Sequence, residues 1–230
     1  HAPALGTLGR VTSALWSDFD NDGALDLMVL QHWGSIRLFR NVRGRLEDVT
    51  ESAALSDLTG FWNGVAAGDV DEDGDLDYVV TNLGWNTPYR ASPSHPVLAY
   101  HGVFDETGTR HFVEAQFEGS TVYPTRSLDA LSKVLPGLRA RFGTYQSYAM
   151  APLTDVLTPA SLAAAKRYEV RHLESGILLQ QAAGRFRFQS LARLAQAAPA
   201  FAPALLDVNA DGHLDLVLAR AFGVRVWRND

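Results

Sequence analysis

Asp18-Phe-Asp-Asn-Asp-Gly-Ala-Leu-Asp26, Asp69-Val-Asp-Glu-Asp-Gly-Asp-Leu-Asp77 and Asp207-Val-Asn-Ala-Asp-Gly-His-Leu-Asp215 are three versions of one nine-residue loop. All fit the pattern D-x-[DN]-x-D-G-x-L-D. Oxygen-bearing side chains at positions 1, 3, 5 and 9 converge on a hard cation. Glycine at position 6 takes the sharp turn that aims the next carbonyl inward. Four carboxylates within about 5 Å would repel one another by a few kcal/mol per pair at an effective dielectric near 20, a cost that a divalent ion removes. The predicted ligands are therefore Asp18, Asp20, Asp22 and Asp26; Asp69, Asp71, Asp73 and Asp77; and Asp207, Asn209, Asp211 and Asp215. The carbonyls of Ala24, Asp75 and His213 complete the three shells. Three Ca2+ sites are expected, the third weakest because Asn209 replaces a carboxylate. No Glu stands at position 12, and the flanks are strand-like, so this is not a helix-loop-helix calcium site. The alternative for any one loop is an Asp-rich turn satisfied by its own backbone amides.

The same context surrounds each loop. Apolar segments precede it (Val11 to Trp16, Asn63 to Ala67, Phe201 to Leu206) and follow it (Leu25 to Leu30, Leu76 to Val80, Leu214 to Leu218). Eight residues past the last loop Asp, Gly34-Ser-Ile-Arg-Leu-Phe-Arg-Asn41 and Gly223-Val-Arg-Val-Trp-Arg-Asn229 alternate with the period of two expected of strands. Leu46 to Thr50 reads as a hairpin return. Val103 to His111 aligns as a fourth copy that keeps Asp105, Thr107 and Gly108 but has Val103 and His111 at the outer positions, so it should hold its turn without calcium. Gly176 to Gln180 and Arg185 to Gln189 form a further hairpin about Ala182-Ala183-Gly184. Residues 124–168, rich in Ala, Leu and Arg, break the pattern. Helices are expected over Ser127 to Leu135 and, after the Thr158-Pro159 cap, over Ala160 to Tyr168. The proline-bearing stretch Asn86 to Pro96 reads as a long loop.

Charge and composition agree with metal loops. The loops hold 13 of the 26 acidic residues, leaving the remainder net basic, and three divalent ions would cancel the formal charge of −6. No basic stripe points to nucleic acid. No apolar run approaches the length of a membrane span. The absence of cysteine excludes disulfides and thiolate metal sites. A chain beginning with His is expected to be processed, excised or a fragment. Such calcium loops also fill best where calcium is roughly millimolar, in extracellular, cell-surface or periplasmic settings.

Strand-rich repeats of roughly 35–50 residues are blade-sized. Here the loops and their flanking strands resemble the FG-GAP/VCBS repeat family, the bacterial relatives of the integrin α-subunit propeller. Phe61-Trp-Asn-Gly-Val-Ala-Ala-Gly-Asp69 and Tyr123-Pro-Thr-Arg126 also resemble exported members of that group. The resemblance is strong over residues 10–50, 60–85 and 200–229. It implies an all-β chain of propeller-type blades, with calcium between strands at the blade rim and residues 124–168 as a helical insertion in one domain spanning 1–230. Family propellers have about seven blades, and this chain has room for four or five. A fragment, a small or open propeller, or a ring completed by assembly are all compatible with that length.

The expected function is binding, adhesion or assembly, with a protein or glycan ligand and no catalysis. A sugar-active enzyme or lectin-like binder would use Trp33, Trp62 and Trp85 as stacking platforms, whereas Trp16 and Trp227 read as blade packing. Asp129, Glu169 and Glu174 offer carboxylates without a legible separation. His1, as a free N-terminal residue, could chelate copper with His32, His101 or His111, although nothing in the sequence fixes any of them nearby; the alternative is that His1 is simply where processing begins. An architectural role in a larger extracellular complex is the third alternative.

Overall fold

Each acidic loop is the bend of an antiparallel hairpin, and the hairpins organise the sheets of a computed structural model that describes residues 3–228. These residues fall into two compact units: one runs up to Pro88 and resumes at His172, and the other is Tyr89–Arg171.

The first sheet is one antiparallel meander: β1 (Arg10–Ser17), β2 (Asp26–Ser35), β3 (Arg37–Val42) and β4 (Arg45–Asp48). The short β5 (Thr59–Phe61) pairs with the far end of β2. Gly34 and Ser35, expected to open the third strand, instead extend β2 to meet Gly60 and Thr59. Trp33 is the irregular residue of that pairing and adopts φ 64°, a left-handed conformation rare for a bulky side chain.

The second sheet starts with β6 (Val65–Gly68) and β7 (Asp77–Val80), on either side of the second loop. The chain then leaves for the second unit. There β8 (Val97–Val103), β9 (Arg110–Glu118), β10 (Thr121–Pro124) and β11 (Lys166–Val170) pair in the order β10-β9-β8-β11. Five short helices join β10 to β11: α1 (Leu128–Ser132), α2 (Gly137–Arg141), α3 (Tyr145–Ala149), α4 (Leu153–Val156) and α5 (Pro159–Ala164). Ser127, Thr144 and Thr158 cap α1, α3 and α5 through their hydroxyls. Leu128, Leu131, Leu138, Tyr148, Leu153 and Val156 bury the helices against Leu98, Val113 and Ala115 of the sheet. The helix expected to continue to Tyr168 stops at Ala164, because Lys166, Arg167 and Tyr168 pair with His101, Tyr100 and Ala99. Likewise the first helix ends at Ser132 rather than Leu135.

On return, β12 (Gly176–Gln181) and β13 (Arg185–Ser190) form the expected hairpin, and β12 adds to β7. The second sheet is thus β13-β12-β7-β6, completed by strands that follow the inserted unit in the sequence. Sheet three is β14 (Ala200–Leu206), β15 (Asp215–Arg220) and β16 (Gly223–Trp227). Sheets one and two therefore share a strand–loop–strand–strand–strand plan, and sheet three repeats its first three strands. These are propeller-like blades.

Face-to-face stacking explains why the strands after the loops are continuously apolar. Met28, Leu30, Leu38, Trp62, Tyr78, Val80, Leu178 and Phe186 share one core. The alternate residue Val79 packs with Leu216 and Leu218 of the third sheet, while Leu27, Val29 and Phe39 are covered by Leu5 and Leu8. Along the entering strands, Thr12 donates its hydroxyl to the Trp62 carbonyl (2.7 Å) and the Asn63 amide donates to the Ala200 carbonyl (2.9 Å). The backbones come so close that a Cβ on Gly64 would stand 2.3 Å from the Phe201 carbonyl oxygen.

Candidate metal centre

The residue before each loop pairs with the last loop Asp: Ser17 with Asp26, Gly68 with Asp77 and Leu206 with Asp215. Position 6 is Gly23, Gly74 or Gly212, with φ of 87°, 91° and 93°, a conformation that strains any side chain. The position-5 carboxylate accepts the N–H of position 7 in every copy: Asp22 from Ala24, Asp73 from Asp75 and Asp211 from His213, each at 2.9 Å. At position 1, Asp18, Asp69 and Asp207 accept the N–H of the glycine.

Position 9 is the structural keystone. Asp26, fully buried, accepts the N–H of Phe19 (3.2 Å) and of Asn41 on β3 (2.7 Å). Asp77, 1% exposed, does the same with Val70 (3.0 Å) and Gln180 on β12 (2.8 Å). Each thereby ties its own loop to the third strand of its sheet. Burial pushes both carboxyls above the usual carboxylate range despite the two N–H donors. Asp20 and Asp22 add to the rise at Asp26, as Asp71 and Asp73 do at Asp77. In loop three, Asp215 is fully buried and accepts from Val208 (3.0 Å).

Carboxylate oxygens of Asp18, Asp20 and Asp22 lie within 4.8 Å of one another, as do those of Asp69, Asp71 and Asp77. Among these, Asp20 Oδ1 and Asp69 Oδ1 are buried and have no hydrogen-bond partner among the described residues. Such oxygens are costly unless a cation or donor meets them. Loop three does not gather three carboxylates in this way. The Asn209 amide turns inward and donates to Asp211 (2.6 Å), so the substitution that removes a charge also closes the loop on itself. The carbonyl-bearing residues Ala24, Asp75 and His213 stand at the turn in each copy.

Two features were not legible from the loops. Arg40 lies against loop one, its Nε 2.6 Å from Asp20 and its Nη2 3.5 Å from Asp22. The His213 ring of loop three meets the Glu72 carboxylate of loop two, and this contact raises the His213 pKa.

The fourth copy keeps the hairpin. Gly102 pairs with His111 in the register of the other three, Gly108 has φ 76°, and the Thr107 hydroxyl accepts the Thr109 N–H as the position-5 carboxylates do elsewhere.

The aromatic candidates separate. Trp62 is fully buried, donates its indole N–H to the Leu58 carbonyl (2.9 Å) and packs edge-on against Phe188, so it cannot stack on a sugar. Trp33 is half-buried and edge-on to Phe61 (4.7 Å). Trp85 is 47% exposed, with its indole N–H on Glu174 (3.2 Å). Trp16, expected to pack between blades, is 54% exposed, whereas Trp227 packs beside Leu216 and Leu218 as expected. Asp129 pairs with Arg139 and Tyr145, and Glu169 with Arg167 and Arg171. His1 lies outside the described residues.

Residues 18–80, which contain loops one and two, match the family model of the FG-GAP-like repeat, so the chain carries a repeat of that family. No curated protein matches the chain. No helix among the described residues is long and apolar enough to cross a membrane.

Proposed function

We propose that the chain is a calcium-stabilised, non-catalytic binding or assembly module that works outside the cytoplasm. The observation that carries this reading is the inward convergence of carboxylates in loops one and two, with Asp20 Oδ1 and Asp69 Oδ1 buried and unpartnered. When bound, calcium would supply positive charge to oxygens that otherwise repel one another. Asp18, Asp20 and Asp22 would hold the ion in loop one, and Asp69, Asp71, Asp73 and Asp77 in loop two. Asp26 would complete the loop-one set as Asp77 does in loop two, each also accepting two backbone N–H groups that tie its loop to the third strand of its sheet. Asp207, Asn209, Asp211 and Asp215 would form a third, weaker site that needs the Asn209 amide to turn over. The ligand of the module, protein or glycan, would meet loops on the blades or the inserted unit, with Trp85 as the exposed aromatic platform.

Calorimetric titration of the calcium-free chain tests this. Two sites of similar affinity and a weaker third are expected. A site at tenfold saturation adds about 1.4 kcal/mol of stability. An unchanged melting temperature on adding chelator to calcium-loaded protein would overturn the reading.

A further inference from the structure

A second binding feature lies beside loop one. A cleft of about 440 Å³ opens between loop one, the segment after β4 and the β12–β13 corner. That volume lies within the range of small-ligand sites. Asp20 and Asp75 set two carboxylates against the single guanidinium of Arg40 on its walls.

The hydrogen-bond inventory of this cleft is lopsided. Its side-chain donors are engaged: Gln180 Nε2 donates to the Phe19 carbonyl (3.0 Å), Gln181 Nε2 to the Gln180 carbonyl (2.7 Å) and Ser52 Oγ to the Val49 carbonyl (2.9 Å), while Arg40 rests on Asp20 and Asp22. Acceptors are left over. Gln180 is only 6% exposed, yet its Oε1 has no partner among the described residues. Asp75 occupies position 7 of loop two, where the loop uses its backbone, so its carboxylate is available to the cleft. A buried amide oxygen without a partner is expensive, and a ligand that donates to it recovers that cost.

We propose that this cleft binds a guanidinium group, with Asp75 as the charged partner and Gln180 Oε1 as the second acceptor. A planar fork of N–H donors suits one carboxylate bidentately with an N–H to spare, which a compact ammonium does not. Arg40 already seats one guanidinium on the neighbouring rim, against Asp20 and Asp22. The group would come either from an arginine side chain of a peptide or from a free guanidino compound.

The test uses the whole chain, saturated with calcium, titrated calorimetrically with agmatine, with an acetylated Ala-Arg-Ala amide and with the same peptide carrying neutral citrulline. Saturable binding of a guanidinium probe is expected, with the citrulline peptide at least tenfold weaker. Tighter binding of the peptide assigns the source to a protein partner, and tighter binding of agmatine to a free compound. Asp75→Asn should weaken the guanidinium probe at least tenfold. A second variant, Ser52→Arg, fills the cleft from an exposed rim position and should abolish binding while leaving calcium titration unchanged. Absence of binding, equal binding of the citrulline peptide, or affinity indifferent to both variants would overturn the proposal. Calcium titration of the same samples reports separately on the metal loops.

Discussion

Replacing Asp77 by Ala should destabilise the blades even when no calcium is present. The carboxylate is 1% exposed and accepts the N–H groups of Val70 and Gln180. Its removal strands one buried donor, the Gln180 N–H, and one part-buried donor, the Val70 N–H; a buried donor left unsatisfied costs about 1–3 kcal/mol, a part-buried one less. The loss is partly offset, because the calcium-free protein no longer buries a negative charge near Asp71 and Asp73. A net cost of about 3 kcal/mol is expected, or roughly 6–12 °C in melting temperature for a chain of this size. Asp73→Ala is the control: Asp73 is exposed and accepts one N–H, so in chelator it should cost under about 1 kcal/mol. Thermal unfolding followed by circular dichroism, with and without calcium, separates the two. With calcium, both variants should also lose the contribution of the loop-two metal, because both residues belong to that proposed site, so the gap between them should persist. Equal costs in chelator, or a loss under about 1 kcal/mol for Asp77→Ala, would refute the assignment of position 9 as the tie between loop and sheet.

Trp62→Ala should cost about 3–5 kcal/mol as a large-to-small core change, whereas Trp85→Ala should alter stability by no more than about 0.5 kcal/mol; urea denaturation reads both. Gly64→Ala should destabilise measurably by the same assay, because its Cβ would meet the backbone carbonyl of Phe201, which cannot move as a side-chain tip would. Asp48 supplies a pH dependence. Burial alone would raise its carboxyl, but the Thr50 hydroxyl and N–H and the Arg37 guanidinium outweigh that and hold it below the usual range. Its folded pKa being the lower one, its stabilisation is present above the unfolded value of about 3.9 and lost as pH falls through the folded value. Asp48→Asn should therefore flatten the acid limb of a stability profile; an unchanged limb would refute the assignment.

The local pattern of the blades was legible because a nine-residue motif specifies both the turn and the strand that leaves it. What connects the blades was not. β7 ends at Val80 and its neighbour β12 begins at Gly176, so completion of the second sheet depends on a pairing between segments separated by an entire unit. Nothing in the strand Gly-Ile-Leu-Leu-Gln-Gln states which edge it joins. Trp62 was misplaced for a related reason. It stands just before the segment Asn63 to Ala67 that enters loop two, where nothing in the sequence marks it as core, and only packing between the sheets buries it. Asn41 and Gln180 were invisible as partners of the loops because the groups they contribute are backbone N–H, which carry no side-chain signature. Arg40 looked like an ordinary outward strand residue until β3 brought it to loop one.

The fourth copy separates what the acidic residues do from what the hairpin needs. Gly102 and His111 pair in the same register as Ser17 and Asp26, and Gly108 takes the same turn, without an Asp at either end of the loop. Glycine with the position-3 and position-5 acceptors, Asp105 and Thr107, is thus enough to reverse the chain. Position 9, where it is Asp, adds a tie to the third strand. After both roles are counted, Asp20 Oδ1 and Asp69 Oδ1 still have no protein partner, although they are buried among other carboxylates. Folding the hairpin does not require that charge, and gathering it is unfavourable by itself. A cation gives those oxygens a partner, which is why metal binding remains the economical reading of loops one and two. The same reasoning makes a double substitution informative. Exchanging the outer residues of the fourth copy, Val103→Asp with His111→Asp, should leave its hairpin folded and give it new affinity for calcium. If the variant folds without gaining a calorimetrically detectable site, the acidic outer residues are not what makes these loops bind.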